Sequence, residues 1–124
     1  MAILDSSCIV EILKGTAKGK RIVDRYGDEG VSTTAVTVNE VLVGAKGIEA
    51  DAADRLFKEL EILPLDAEAA RRAARVEQEL ERKGALIEKM DMLIAGVCLV
   101  HDVPIITADK GFQRVAGLHV FFVD

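Results

Sequence analysis

The sequence predicts an α/β fold, specifically a three-layer α/β/α sandwich around a mainly parallel β-sheet. Two observations predict it. Short apolar segments alternate with longer segments of helical composition along the whole chain, which is typical of a parallel sheet with helices on both faces. The length of 124 residues, with 50% apolar and 30% charged residues, fits one globular domain spanning residues 1–124.

The N-terminal half provides two strand–helix units. Residues 2–6 are a predicted strand, residues 7–18 a helix ending near Gly15 or Gly19, and residues 20–26 a further helical piece before the turn GDEG. The segment VST reads as a strand. Thr34 is a good N-cap for the helix after it, with Gly44 or Gly47 as its stop.

The C-terminal half repeats the alternation. Residues 48–61 have helical composition, and ILPL is a short strand that Pro64 places at a sheet edge or strand end. Asp66 is a good N-cap for a long helix that Gly84 ends. The helix in EKMDMLIAGVCLVHD is apolar nearly all round and therefore central. VPIITAD is a strand, KGFQRVAG a short helix or turn, and LHVFFVD the last strand.

Composition excludes several classes of protein. The net charge of −5 argues against a general nucleic-acid coat, which is usually basic. Cys8 and Cys98 lie in apolar runs without a Cys/His cluster, so we expect reduced core residues. The N-terminus lacks the basic region of a signal peptide, and the longest apolar run is too short to span a bilayer. These features favour a cytoplasmic protein.

Four acids interrupt apolar surroundings. Asp5 follows the first strand, Asp109 follows the strand PIIT, Glu40 lies on the apolar face of its helix, and Asp91 lies in the first turn of the central helix. In an open parallel sheet, ligands bind beyond the carboxyl ends of the strands. Asp5 and Asp109 therefore converge if their strands are neighbours, which the sequence alone does not establish.

Each acid also has a structural explanation. Asp5 and Asp109 suit helix caps or turns, Asp91 suits the dipole of its helix, and Glu40 suits a buried salt bridge. Together they are harder to explain in this way, because unit charges 4 Å apart repel by about 4 kcal/mol at an effective dielectric near 20. Converging carboxylates imply protonation or a cation, and an oxygen-rich site without His or Cys suits Mg²⁺ or Mn²⁺.

At these residues the sequence resembles the PIN-domain ribonucleases, and within them the VapC-type toxins of toxin–antitoxin pairs. The resemblance extends over nearly the whole chain and rests on three segments: ILDSSCIVEILKG, STTAVTVNEVLVG and DMLIAGVCLVHDVPIITADKGFQRVAGLHV. It implies a homodimeric, Mg²⁺- or Mn²⁺-dependent endoribonuclease that an antitoxin protein holds in check. The antitoxin follows from the resemblance alone, because no residue here specifies that partner.

The resemblance also implies roles for individual residues. Asp5, Glu40, Asp91 and Asp109 match the catalytic acids, with Asp5 and Asp91 as the direct metal ligands, and Ser7 and Thr107 match the supporting hydroxyls. Many relatives carry a further acid before the Phe, where this chain has Gly111.

Two further features bear on RNA binding and on rival functions. Lys14, Lys18 and Lys110 lie close in sequence to the acids and are candidate RNA contacts, although solvated helix surface explains them equally well. One rival is a PIN-like binding module that has lost catalysis. Another is a receiver domain, but its acidic pair at the first strand is missing, since only Asp5 is there.

Overall fold

The structure is a computed structural model that describes all residues from 1 to 124. It contains five strands and six α-helices, with two short 3-10 turns at Gly27–Glu29 and Lys110–Arg114. The strands are β1 (Ala2–Leu4), β2 (Val31–Thr34), β3 (Glu61–Leu63), β4 (Ile105–Thr107) and β5 (Val120–Phe122). The helices are α1 (Ser6–Lys14), α2 (Ala17–Tyr26), α3 (Ala35–Gly44), α4 (Ile48–Glu59), α5 (Ala67–Arg82) and α6 (Lys89–His101).

The strands form one parallel sheet in the order β3-β2-β1-β4-β5. The chain first builds outward from β1 to β2 and β3, and then crosses to the other side of β1 to add β4 and β5. The reversal occurs between β1 and β4, where Ile3 pairs with Ile105. In sheets of this kind, the crevice at such a switch point is where ligands bind.

Both faces of the sheet are covered, as the sequence predicts. Successive side chains of β1 point to opposite faces, so Ile3 joins a core with α5 and α6 while Leu4 joins a second core with α1, α2 and α4. The helices α5 and α6 pack so closely at Gly96 that a Cβ built there would lie 2.6 Å from the Ala69 carbonyl oxygen. The result is the predicted three-layer α/β/α arrangement.

The predicted element boundaries need small corrections at the N-terminus. β1 ends at Leu4 and not at residue 6, because Asp5 already caps α1. α1 ends at Lys14, and the next residue, Gly15, caps it in the left-handed conformation (φ 65°). α2 begins at Ala17 because the Thr16 side chain accepts a hydrogen bond from the Gly19 N–H. The predicted caps Thr34 and Asp66 are both confirmed by hydrogen bonds from the N–H three residues ahead.

The two cysteines are buried and unpaired, as expected. Burial raises the pKa of each thiol to about 12, so both remain protonated and unreactive near neutral pH. None of the six helices is long and apolar enough to cross a membrane.

Candidate active site

Asp5 lies at the switch point of the sheet. It is the first residue after β1 and only 2% exposed. Its Oδ1 accepts hydrogen bonds from the Cys8 N–H (3.1 Å) and the Ser7 hydroxyl (2.6 Å), so the carboxylate caps α1 as the structural explanation anticipated. Burial nevertheless raises the pKa of Asp5, and these hydrogen bonds only partly oppose that rise.

Two hydroxyl groups connect Asp5 to the end of β4. Thr107 donates to Asp5 Oδ2 (2.5 Å) and accepts from the Asp109 N–H (2.9 Å). Ser7 Oγ, which donates to the other oxygen of Asp5, accepts from the Ala108 N–H (3.1 Å). Each hydroxyl thus donates a hydrogen bond to the Asp5 carboxylate and accepts one from a backbone N–H just after β4. These bonds fix the orientation of the Asp5 carboxylate.

Asp91 enters the site from the first turn of α6 and is 9% exposed. Its pKa is raised to about 7, first by burial and then by the negative charge of the nearby Asp109, with smaller contributions from Glu40 and Asp5. The favourable dipole at the start of α6 does not offset these effects. Asp91 therefore changes charge near neutral pH unless a cation lies beside it.

Glu40 reaches the same site from α3. Its Oε1 is buried and has no hydrogen-bond partner, so the predicted buried salt bridge is absent. Burial raises the pKa of Glu40; the Ser6 hydroxyl opposes the rise, and the charges of Asp5 and Glu88 add to it. A buried carboxylate oxygen without a donor costs free energy, and a bound cation or water would relieve that cost.

Asp109 caps a turn and also lies near Asp91. It is exposed, and its Oδ1 accepts from the Gly111 N–H (2.8 Å), so it caps the turn Lys110–Arg114. Its charge also raises the pKa of Asp91. A Cβ on Gly111 would lie 3.2 Å from both Asp109 Oδ1 and Ile87 Cγ2, so the local packing is tight at the position where relatives carry a further acid.

The sequence analysis missed one acid. Glu88, the residue before α6, is exposed and adds to the negative field at Glu40. Its position three residues before Asp91, which puts both at the start of one helix, is the signal that could have found it.

The carboxylates do not form a finished metal cage. No group of three or more Asp, Glu, His or Cys side chains is close enough together to hold an ion in the present conformation. The donor set still fits Mg²⁺, because this ion is usually held by only one or two carboxylates and keeps several waters. The partnerless Glu40 Oε1 and the raised pKa values of Asp5 and Asp91 are consistent with a site that lacks positive charge.

The three predicted basic contacts lie in different environments. Lys14 and Glu40 line the same cavity, of about 610 Å³, between α1, α3 and α4. Lys18 is near enough to Cys8 to lower the pKa of that thiol, against the larger effect of burial. Lys110 follows Asp109, and its Nζ lies 5.7 Å from the centre of the Phe122 ring.

A parallel α/β sheet with carboxylates gathered at its switch point defines a protein with an acidic site suited to a divalent cation. Comparison with known proteins identifies the family. The chain belongs to the PIN domain family, whose model matches residues 2–118.

Individual relatives agree with this assignment. Ribonuclease VapC5 from Mycobacterium tuberculosis is 31% identical over 122 residues, covering 93% of this chain and 87% of that protein. A crystal structure of VapBC-5 from the same organism, described as a toxin–antitoxin system, is 27% identical with a TM-score of 0.73 and covers 98% of both chains. VapBC2 from Rickettsia felis, bound to a promoter DNA fragment, has the same fold: TM-score 0.88, 20% identity, with 99% of this chain and 98% of that one covered.

Proposed function

We propose that this chain is a metal-dependent endoribonuclease and the toxin of a type II toxin–antitoxin pair. The observation that carries the proposal is that Glu40 Oε1 is buried and unpartnered, while acids from three other segments, Asp5, Asp91 and Asp109, lie near enough for their charges to act on one another. Membership of the PIN domain family and similarity to a VapC ribonuclease support it.

Asp5 and Asp91 are the proposed ligands of a Mg²⁺ or Mn²⁺ ion. Asp5 Oδ2 accepts only the Thr107 hydroxyl and keeps a lone pair free, and burial together with the charge of Asp109 raises the pKa of Asp91 to about 7. When bound, such an ion supplies Lewis acidity and stabilises the charge that develops on a phosphodiester under attack.

The remaining residues orient the Asp5 carboxylate, accept a proton or act on the charge of Asp91. Ser7 and Thr107 hold the Asp5 carboxylate in one orientation through bonds of 2.6 and 2.5 Å, which limits the reorganisation needed during reaction. Glu40 Oε1 is free to accept a hydrogen bond from an attacking water, and its raised pKa makes it a stronger base than an ordinary glutamate. Burial and the charge of Asp109 keep the pKa of Asp91 high, so a nearby cation would stabilise the ionised form of that carboxylate at neutral pH.

The proposed partners are an RNA substrate, a cognate antitoxin and a second copy of the chain. Relatives with this fold are described as toxin–antitoxin complexes, which is the basis for the antitoxin. A basic side chain of the antitoxin would neutralise the acidic crevice in place of the metal ion. The homodimer and the cytoplasmic location rest on the family resemblance, and residues 1–124 form the whole domain in this proposal.

One alternative is a binding module with the PIN fold but without catalysis. Gly111 in place of an acid, together with the absence of a preformed three-ligand cage, favours this alternative. It predicts RNA binding without cleavage.

Cleavage of a panel of structured RNAs in Mg²⁺, Mn²⁺ or EDTA tests the proposal. We expect metal-dependent cleavage by the wild type and at least a hundredfold less by Asp91→Asn, since loss of positioned charge in an active site costs about 2.7–4 kcal/mol. Asp54→Asn, which removes an exposed carboxylate from α4, is the matched control and retains activity. Full metal-dependent cleavage by Asp91→Asn would show that the site is placed wrongly, and RNA binding without cleavage by the wild type would favour the binding module.

A further inference from the structure

Four hydroxyl side chains are buried in the segment that ends β2 and begins α3. Ser32, Thr33, Thr34 and Thr37 are each no more than 1% exposed. A buried hydroxyl without a hydrogen-bond partner costs free energy, and an apolar side chain in the same place would avoid that cost. The partner of each hydroxyl therefore indicates what the hydroxyl does in the structure.

Three of these hydroxyls connect neighbouring elements of the fold. Thr34 is the N-cap of α3: its oxygen accepts a hydrogen bond from the Thr37 N–H (3.1 Å) and lies 3.1 Å from the Thr37 hydroxyl. Ser32 donates to a carboxylate oxygen of Glu61 on the edge strand β3, at 3.5 Å. These contacts are directed away from β1.

Thr33 is the hydroxyl directed at β1. It donates to the carbonyl oxygen of Leu4 at 2.7 Å. The backbone pairing between β1 and β2 ends with Ile3 and Ser32. The Thr33 side chain therefore continues the contact between the two strands one residue beyond their backbone pairing, at the residue that precedes Asp5.

The peptide group between Leu4 and Asp5 is held from both neighbouring strands. Its carbonyl oxygen accepts the hydrogen bond from Thr33 of β2, and its N–H donates to the Ile106 carbonyl of β4 at 3.2 Å. A trans peptide group is planar, so holding both of its polar atoms fixes the direction in which the backbone enters Asp5. The side-chain hydrogen bonds described above then orient the carboxylate itself.

We propose that Thr33 is a positioning residue for the ion site, whose hydroxyl holds the Leu4–Asp5 peptide so that the Asp5 carboxylate stays directed at the crevice when no ion is bound. Thr33 is fully buried, so it acts through the backbone of Asp5 and not by contact with RNA. The next residue, Thr34, begins the helix that carries Glu40. Consecutive residues of β2 thus set the positions of two acids, and this inference rests on the proposed function of Asp5 as an ion ligand.

Four side chains at position 33 isolate the effect of the hydroxyl. The wild type and Thr33→Ser have it, whereas Thr33→Val and Thr33→Ala lack it, and each pair is otherwise similar in shape. Calorimetry measures the affinity for Mn²⁺ without RNA. We expect Thr33→Val to bind Mn²⁺ roughly tenfold more weakly than the wild type, and Thr33→Ala to be weakened to the same extent relative to Thr33→Ser. This is the lower end of the loss of about 10–100-fold that follows removal of groups supporting a metal ligand.

Ser32→Ala is the matched control, because it removes a buried hydroxyl from the adjacent residue of β2 that bonds to β3 and not to the Leu4–Asp5 peptide. It should leave the Mn²⁺ affinity unchanged. In cleavage assays, Thr33→Val should raise the Mn²⁺ concentration that gives half-maximal activity roughly tenfold, at unchanged KM for RNA. A smaller folded fraction would lower the maximal rate without moving that concentration.

The outcomes separate this inference from the proposed function. Metal-dependent cleavage by the wild type, with equal Mn²⁺ affinity of the wild type and Thr33→Val, would overturn the inference and leave the nuclease intact. Weaker Mn²⁺ binding by both variants without the hydroxyl, but no RNA cleavage by the wild type, would retain the positioning role and overturn the nuclease. A wild type that binds no Mn²⁺ would overturn both.

Further outcomes distinguish positioning from a purely structural role. A loss of Mn²⁺ affinity in Thr33→Ser as large as that in Thr33→Val would show that packing and not the hydroxyl matters, and the inference would be wrong. If Thr33→Val does not fold, the comparison of Thr33→Ser with Thr33→Ala decides, and equal Mn²⁺ affinities of these two would overturn the inference. If neither variant without the hydroxyl folds, Thr33 is a structural residue and the inference is wrong.

Discussion

The carboxyl group of Asp91 has a pKa of about 7 in the folded chain, against 3.8 for an unperturbed Asp. The folded state therefore binds a proton that the unfolded state has already released between about pH 4 and pH 7. Stability from this group is fully present at low pH and is lost as the pH rises through 7. Asp5 and Glu40, whose pKa values are also raised by burial, act in the same direction.

We therefore expect the metal-free protein to become less stable from pH 5 to pH 8. Asp91→Asn removes the contribution of this carboxyl group and should flatten that dependence, with a gain on the order of 1–2 kcal/mol at pH 8. The melting temperature, followed by circular dichroism in EDTA from pH 5 to pH 8, measures this pH dependence of stability. Asp54→Asn should keep the wild-type slope, and an equally steep slope in Asp91→Asn would contradict the assigned cause.

The residue scale also shows which parts of the site the sequence could predict. Asp5 could be singled out as a candidate because a charged residue directly after a buried apolar strand is costly without a role. Asp109 could be singled out because it lies just beyond the carboxyl end of an apolar strand, where ligands bind in parallel sheets. The missing partner of Glu40 Oε1 was not predictable, because it depends on side chains that come from other elements. The contribution of Glu88 was missed although its position, three residues before Asp91 at the start of the same helix, is a signal in the sequence.

At the scale of elements, the contact between α5 and α6 places Asp91. α6 supplies Asp91 from its first turn, and Gly96 lets its middle approach α5 until a Cβ would lie 2.8 Å from the Ala73 Cβ and 2.6 Å from the Ala69 carbonyl oxygen. The second of these atoms is backbone and cannot rotate away. The close contact therefore depends on the absence of a side chain at residue 96.

Gly96→Ala should destabilise the protein by about 1–3 kcal/mol, because overpacking moves α6 away from α5. Chemical denaturation measures the free energy of unfolding. Gly44→Ala is the control, as Gly44 also lies in a helix but has nothing within 4 Å of its missing Cβ. There the change should be neutral or slightly stabilising, since Ala has the higher helix propensity. Equal losses at both positions would refute the packing argument.

Elements were more predictable than their arrangement. Thr34 and Asp66 identified two helix starts because capping is local, and Gly15 and Gly84 marked helix ends for the same reason. The neighbouring positions of β1 and β4 were not predictable, since Ile3 and Ile105 are about a hundred residues apart and either order satisfies the same hydrophobic pattern. The convergence of Asp5 with Asp109 depends on that order.

At the scale of the whole molecule, a bound ion should stabilise the fold. The unfolded chain cannot bring the four acids together, so binding to the folded state alone adds about 2.7 kcal/mol at a concentration of one hundred times Kd. We expect Mn²⁺ or Mg²⁺ to raise the melting temperature of the wild type at pH 7.5, and EDTA to reverse the change. Asp5→Asn and Asp91→Asn should lose most of this effect, whereas Asp54→Asn should keep it. Equal stabilisation of all four proteins would indicate nonspecific binding.

The strand order β3-β2-β1-β4-β5 has a consequence for the order in which the protein is made. Asp5 is synthesised about a hundred residues before β4 and Asp109. At roughly 5–20 residues per second, a ribosome needs about 5–20 s to add them. During that interval β1 lacks its second neighbour and Asp5 lacks the Thr107 hydroxyl. A growing chain of this protein thus carries an incomplete set of acids and hydroxyls until β4 has left the ribosome. The part of the messenger between β1 and β4 is therefore translated before the site can assemble.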